Sequence, residues 1–110
     1  MDESIAQFLN FLLVEKNASQ NTMSAYRNDL NQFAKFAAAQ GAETPGDVKG
    51  AQVVAFVAAL RAKNYKDATV ARRVAAVKSF FGFLVAEGLV PNDPTEQLKS
   101  PQVGKALPRA

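Results

Sequence analysis

The chain has 110 residues, enough for one domain and too few for two that each hold a core without staples. It contains no Cys and no His, which excludes disulfides, thiolate or imidazole metal sites, an imidazole base and a histidine pH switch. With 48% apolar residues and a formal charge of only +3, it reads as a folded chain in which charge placement matters more than the sum.

Asp2 and Glu3 stand where a secretory signal would be basic. The apolar stretch from Ile5 to Val14 is broken by Gln7 and Asn10, and falls far short of the roughly 20 residues that cross a bilayer. A soluble, cytoplasmic chain without a membrane partner is expected. Ile5, Phe8, Leu9 and Leu12 fall at i, i+3, i+4 and i+7, which predicts a first helix from about Ser4 to Lys16. Asn17-Ala18-Ser19 breaks it, and Ser19 caps a second helix running from about Gln20 to Gln40. The apolar stripe of that helix is Met23, Tyr26, Leu30, Phe33 and Ala37, and Gly41 supplies a left-handed stop. Glu43 to Gly46 reads as a loop. The third helix runs from about Ala51 to Lys63, with Val53, Val54, Phe56, Val57 and Leu60 inward. The fourth runs from about Asp67 to Glu87 and stops at Gly88, with Val70, Val74, Val77, Phe81 and Leu84 as its stripe. Asp93-Pro94 can start one short further helix, with Asp93 as cap. Residues 100–110 lack periodicity and read as a linker. The β-branched runs all fit helical spacing, so the fold class is all-α.

The polar chemistry lies on two helix faces. At about 100° per residue, Asn21, Ser24, Arg27, Asn28, Asn31, Gln32 and Lys35 share one arc of the second helix, opposite Leu30. That arc holds no carboxylate; Asp29 lies outside it. Solvated faces usually mix acids with bases. Asn, Gln and Arg can pair with base edges, while Ser, Thr and Lys reach phosphates. An Asn-rich solvent face is the alternative. The outer arc of the fourth helix runs through Lys78, Ala71, Gly82, Ala75, Ala86, Ser79 and Arg72. Small residues make a flat floor with cations beside it, suited either to a phosphate backbone or to close helix packing. Lys66, Thr22 and Thr69 join the candidates for contact with DNA. Residues 61–84 carry six cations against Asp67 alone, whereas residues 1–20 carry three acids against Lys16. That asymmetry is the electrostatic footprint of a nucleic-acid face. On the first helix, Phe11 and Val14 fall off the main stripe, so that helix either sits deep or meets a protein partner.

Nothing in the pattern suggests an enzyme site. The glycines make no phosphate-binding loop, and the acids show no paired or metal-ligating spacing. Tyr65, beside Lys63 and Lys66, reads as surface packing or a phosphate contact rather than a nucleophile. No cofactor, metal or small-molecule substrate is expected. A linker ending in Leu107-Pro108-Arg109-Ala110 looks cut in mid-protein.

Residues 21–36 contain Thr22, Tyr26, Asp29, Leu30, Phe33 and Phe36 in the order T-x-x-x-Y-x-x-D-L-x-x-F-x-x-F. This resembles a segment of the tyrosine recombinases, the phage-integrase and Xer group. Ala71-Arg72, Val74, Ala76-Val77-Lys78 and Phe80-Phe81 resemble that family's fourth helix. Asn92-Asp93-Pro94-Thr95 resembles its Asn-Pro start to a short last helix. Lys105-Ala106-Leu107-Pro108-Arg109 is similar to the K-x-L-P-K junction before the catalytic domain. Arg73 departs from the pattern, standing where relatives often carry an apolar residue, and its angle points it toward the core.

The resemblance implies an orthogonal bundle of four helices with a short fifth and a C-terminal linker. Residues 1–99 would form the core-binding, SAM-like DNA-binding domain, and residues 100–110 a linker to a catalytic domain absent from the chain. It implies binding of double-stranded DNA without chemistry, with the second and fourth helices on the duplex. It implies, for the full-length protein, a tetramer of like or paired protomers on DNA, in which the first helix meets a neighbour. A helical protein-interaction module that never touches DNA is the competing reading.

Overall fold

The computed structural model describes residues 1–96 and residue 98. Four α-helices follow in chain order: α1 (Asp2–Lys16), α2 (Gln20–Ala39), α3 (Gly50–Ala62) and α4 (Asp67–Ala86). A single 3-10 turn, Pro45–Asp47, separates α2 from α3. Among the described residues there is no strand, as the all-α reading requires. The expected linker over 100–110 lies outside the described residues.

The helix ends follow local chemistry. α1 starts earlier than expected because Asp2 and Glu3 occupy its first turn, where carboxylates favour the positive end of the dipole. It ends at Asn17, whose φ of 52° turns the chain so that the Ala18 N–H donates to the Leu12 carbonyl at 3.1 Å. Ser19 caps α2, its Oγ accepting from the Thr22 N–H at 3.1 Å. Gly41, at φ 93°, ends α2 in the same way as Asn17 ends α1, with the Ala42 N–H donating to Ala37 at 2.8 Å. The segment read as a loop before α3 contains the 3-10 turn. Pro45 opens it, and the Asp47 carboxylate accepts from the Thr44 N–H at 3.3 Å. At the other end, Asp93 Oδ1 accepts from the Thr95 N–H and hydroxyl at 2.8 and 2.6 Å. This is the expected cap, and it holds a turn over 94–96; the rest of the expected short helix lies outside the described residues.

α2 and α4 form the middle of the bundle, each touching all the other helices, with α1 and α3 on either side. The α4 stripe is sealed, whereas the α2 stripe is sealed only from Leu30 on, Met23 and Tyr26 being half-buried. Leu30, Phe33 and Ala37 of α2, and Val70, Val74, Val77, Phe81 and Leu84 of α4, are all buried. Phe80 is buried too, off the expected stripe, because α4 packs on three sides and buries a wider arc than one stripe. Phe8 of α1 joins the layers, meeting Tyr26 at 5.5 Å, Phe80 at 5.8 Å and Phe83 at 5.4 Å between ring centroids. Phe33 meets Phe56 edge-on at 5.1 Å and ties in α3. Val54, expected inward, is instead 56% exposed. The peripheral α3 buries only a narrow stripe of Val53, Phe56 and Leu60, and Val54 lies a quarter turn or more from it.

Candidate nucleic-acid interface

The outer arc of α2 is exposed as a block. Asn21, Ser24, Arg27, Asn28, Asn31 and Lys35 all lie on the surface, and no carboxylate interrupts them. Thr22 is exposed as well, but its hydroxyl is engaged with the cap, accepting from Ser19 Oγ at 3.0 Å. The structure divides this set between two grooves. Arg27, Asn31 and Lys35 line an open groove between α2 and α1, facing Ala6, Asn10 and Leu13, with the acids Asp2 and Glu43 also on its lining. Thr22 lines a second groove with Tyr26, whose far wall is Ser79, Gly82 and Phe83 of α4. A Cβ built on Gly82 meets nothing within 4 Å, so the floor there is open to an approaching backbone.

Farther along the α2–α4 seam sits a charge cluster that the sequence does not announce. Asp29 is 2% exposed. Arg72 of α4 grips it with two bonds, Nε to Oδ2 at 3.0 Å and Nη2 to Oδ1 at 2.9 Å. The bond to Asp29 is the main reason the Arg72 pKa is raised above its ordinary value; burial opposes it and Coulombic attraction adds to it. The Arg72 side chain nevertheless keeps 52% of its surface exposed. Arg73 turns inward, as its angle predicts. Its Nη1 donates to Gln32 Oε1, its Nε lies 3.6 Å from Asp29 Oδ1, and its guanidinium sits 4.5 Å from the centre of the Tyr65 ring. Gln32 therefore leaves the exposed arc for the cluster. Tyr65 is partly exposed and serves as a plate for Arg73.

The other candidates are distributed more loosely. Lys66 and Ser79 are exposed, and Thr69 is half-buried. Lys78 is half-buried and its Nζ donates to the Leu98 carbonyl, tying α4 to the chain's exit. Arg61 pairs at 3.7 Å with Asp67, so the dense positive charge of 61–84 is partly spoken for within the fold. On α1, Phe11 is half-buried against Phe83 at 5.0 Å, while Val14 is 66% exposed near Glu15, Glu87 and Leu89. Leu13, at 51%, is a second exposed apolar residue that periodicity did not single out. Asp29, bound to Arg72 at this seam, is the residue to which sequence reasoning gives no role. Its position off the polar arc was the available signal, since a carboxylate turned toward a core needs a cation.

Residues 5–88 match the family described as "Phage integrase, N-terminal SAM-like domain". The chain is 47% identical over its whole length to tyrosine recombinase XerC of Roseiflexus sp. (strain RS-1), covering 35% of that protein. It is 49% identical over its whole length to XerC of Roseiflexus castenholzii, again 35% of that protein. Over 99% of the chain it is 34% identical to tyrosine recombinase XerD of Listeria monocytogenes, covering 37% of it. The chain thus spans about a third of the length of the curated relatives it matches. No solved structure matches it. Among the described residues, no helix is long and apolar enough to cross a membrane. With the match covering α1 to α4 together, the chain belongs to the phage integrase N-terminal SAM-like domain family.

Proposed function

We propose that this chain is the core-binding domain of a site-specific tyrosine recombinase and that it clamps duplex DNA through α2 and α4. The observation that carries the reading is the exposed, carboxylate-free face of α2, with Asn21, Ser24, Arg27, Asn28, Asn31 and Lys35 side by side. Amides and guanidinium on one helix face suit base edges, and the open floor at Gly82 beside Ser79 suits a phosphate backbone. In this reading residues 1–99 are the DNA-binding unit, and 100–110 lead to a catalytic domain that carries the nucleophile and works from the opposite side of the duplex. No cofactor takes part, and the protein acts in the cytoplasm. Val14 and the exposed edge of Phe11 then face a neighbouring protomer in a tetramer on DNA.

Titration of a labelled duplex at several salt concentrations tests this. With about four to six phosphate contacts, log K should fall against log salt with a slope of roughly −4 to −5. Affinity should be micromolar or weaker, because half the clamp is missing. Supercoiled plasmid should be neither nicked nor covalently attached. A flat salt response, or no binding at low salt, would leave the protein-interaction module as the better account.

A further inference from the structure

We infer that Asp29 and Arg73 are positioning residues that make Arg72 a preset phosphate contact, with Asp29 aiming its guanidinium and Arg73 cancelling the charge of Asp29. The inference rests on the DNA-binding reading above and deepens it.

Arg72 holds Asp29 through Nε and one N–H of Nη2. A guanidinium carries five N–H donors in a fixed plane. Two are used, and among the described residues the other three have no acceptor. Two of those three, one on Nη1 and one on Nη2, form the end edge away from Asp29, the third points back along the stem, and the side chain is half-exposed. That edge is the fork that matches two oxygens of a phosphate. An arginine on a flexible stem would have to be ordered when DNA binds. Here the order is already present, because Asp29 is buried in α2 and fixes the plane.

A carboxylate paired with an arginine would ordinarily defeat the purpose, since the pair is neutral to a distant phosphate. Arg73 removes that objection. Its Nε is buried, has no hydrogen-bond partner, and stands 3.6 Å from the same Oδ1 that Arg72 holds. The approach is too long for a hydrogen bond but close enough for strong Coulombic attraction. The three groups together carry one net positive charge, and Arg72 is the member that reaches solvent. Gln32 and the Tyr65 ring keep Arg73 in place without adding charge. A purely structural cross-link between α2 and α4 needs only one arginine; the second, at a buried position on α4, is what the charge argument explains.

Salt-dependent DNA binding of the 110-residue chain reads this directly, with folding of each variant checked by circular dichroism. Arg73→Gln should leave a neutral Arg72–Asp29 pair at the surface and make the salt slope shallower by about one unit, although Arg73 itself is buried. Arg73→Lys should return the slope, because it keeps the charge. Asp29→Asn should weaken binding at low salt although it adds one net positive charge, because a carboxamide can accept only one of the two Arg72 bonds and the guanidinium loses its aim. The Asp29→Asn arm also stands alone if Arg73→Gln does not fold. A wild-type slope in folded Arg73→Gln, or binding as tight as wild type or tighter in folded Asp29→Asn, overturns the inference while leaving DNA binding intact. If the wild-type chain shows no salt-dependent binding, it is the DNA reading that fails.

Discussion

Arg72 and Asp29 meet across the α2–α4 seam with unequal exposure, the arginine side chain at 52% and the aspartate at 2%. Removing one or the other is therefore not equivalent. Arg72→Ala leaves Asp29 with Arg73 still 3.6 Å away, and should cost about 1–2 kcal/mol. Asp29→Ala strands a buried cation and should cost about 3–5 kcal/mol. Urea denaturation of the two variants measures the difference; equal losses would mean that Arg73 does not share the carboxylate. Because the Arg72 pKa is raised, its contribution is complete below the ordinary arginine value and is lost only in strong alkali, as pH climbs through the raised one. Arg72 should therefore add no slope to the stability profile around neutral pH.

Phe8 is the aromatic hub of the bundle, and Phe8→Ala should cost about 3–5 kcal/mol. Its neighbour Phe11 is only half-buried, so Phe11→Ala should cost clearly less. If the two lose equal stability, Phe11 is a core residue and no surplus for a partner.

Ser19 holds the start of α2, the helix that carries most of the candidate interface. Ser19→Ala should cost about 1 kcal/mol and lower Tm by about 4–8 °C. Ser19→Thr should recover most of it. An unchanged Tm in Ser19→Ala would show that water or another group satisfies the Thr22 N–H equally well.

What could be read from the chain was whatever depends on periodicity and local caps. Leu30 and Phe33 had to face inward, so Arg27, Asn31 and Lys35 had to face out, and they do. Ser19, Gly41 and Asp93 announced their turns because each acts on residues next to it. The Asp29–Arg72 link was not readable, since its partners lie 43 residues apart and no local rule pairs them. For the same reason the bond from Lys78 on the outer arc to the Leu98 carbonyl has no signal in the sequence. Val54 lies outside although expected inward, because an apolar residue beside a stripe reads the same whether its helix is central or peripheral. The burial of Phe80, outside the expected stripe, has no local signal, because burial of a second arc depends on how many helices surround α4.

Arg27 and Asn31 should carry sequence discrimination, whereas Lys66 should carry only affinity. Arg27 and Asn31 are one helical turn apart on α2, both exposed, and both open into the same groove beside α1. Neither is bound to an acid among the described residues, so each can turn its full set of donors to a base. A guanidinium pairs bidentately with guanine, and a carboxamide with adenine, each worth about 1–3 kcal/mol of discrimination when well placed. Lys66 sits just before α4 as an exposed point charge, which attracts phosphate without reading sequence. Lys66→Ala should weaken binding to all duplexes alike and reduce the salt slope by about one unit. Arg27→Ala and Asn31→Ala should lose more affinity on the cognate site than on random DNA, with Asn31→Ala leaving the slope unchanged. Competition titrations against cognate and random duplexes, using the recombinase of which this domain is proposed to be part, separate the two behaviours. If Asn31→Ala weakens both duplexes by the same factor, α2 touches only the sugar–phosphate backbone, and sequence is read elsewhere in the protein.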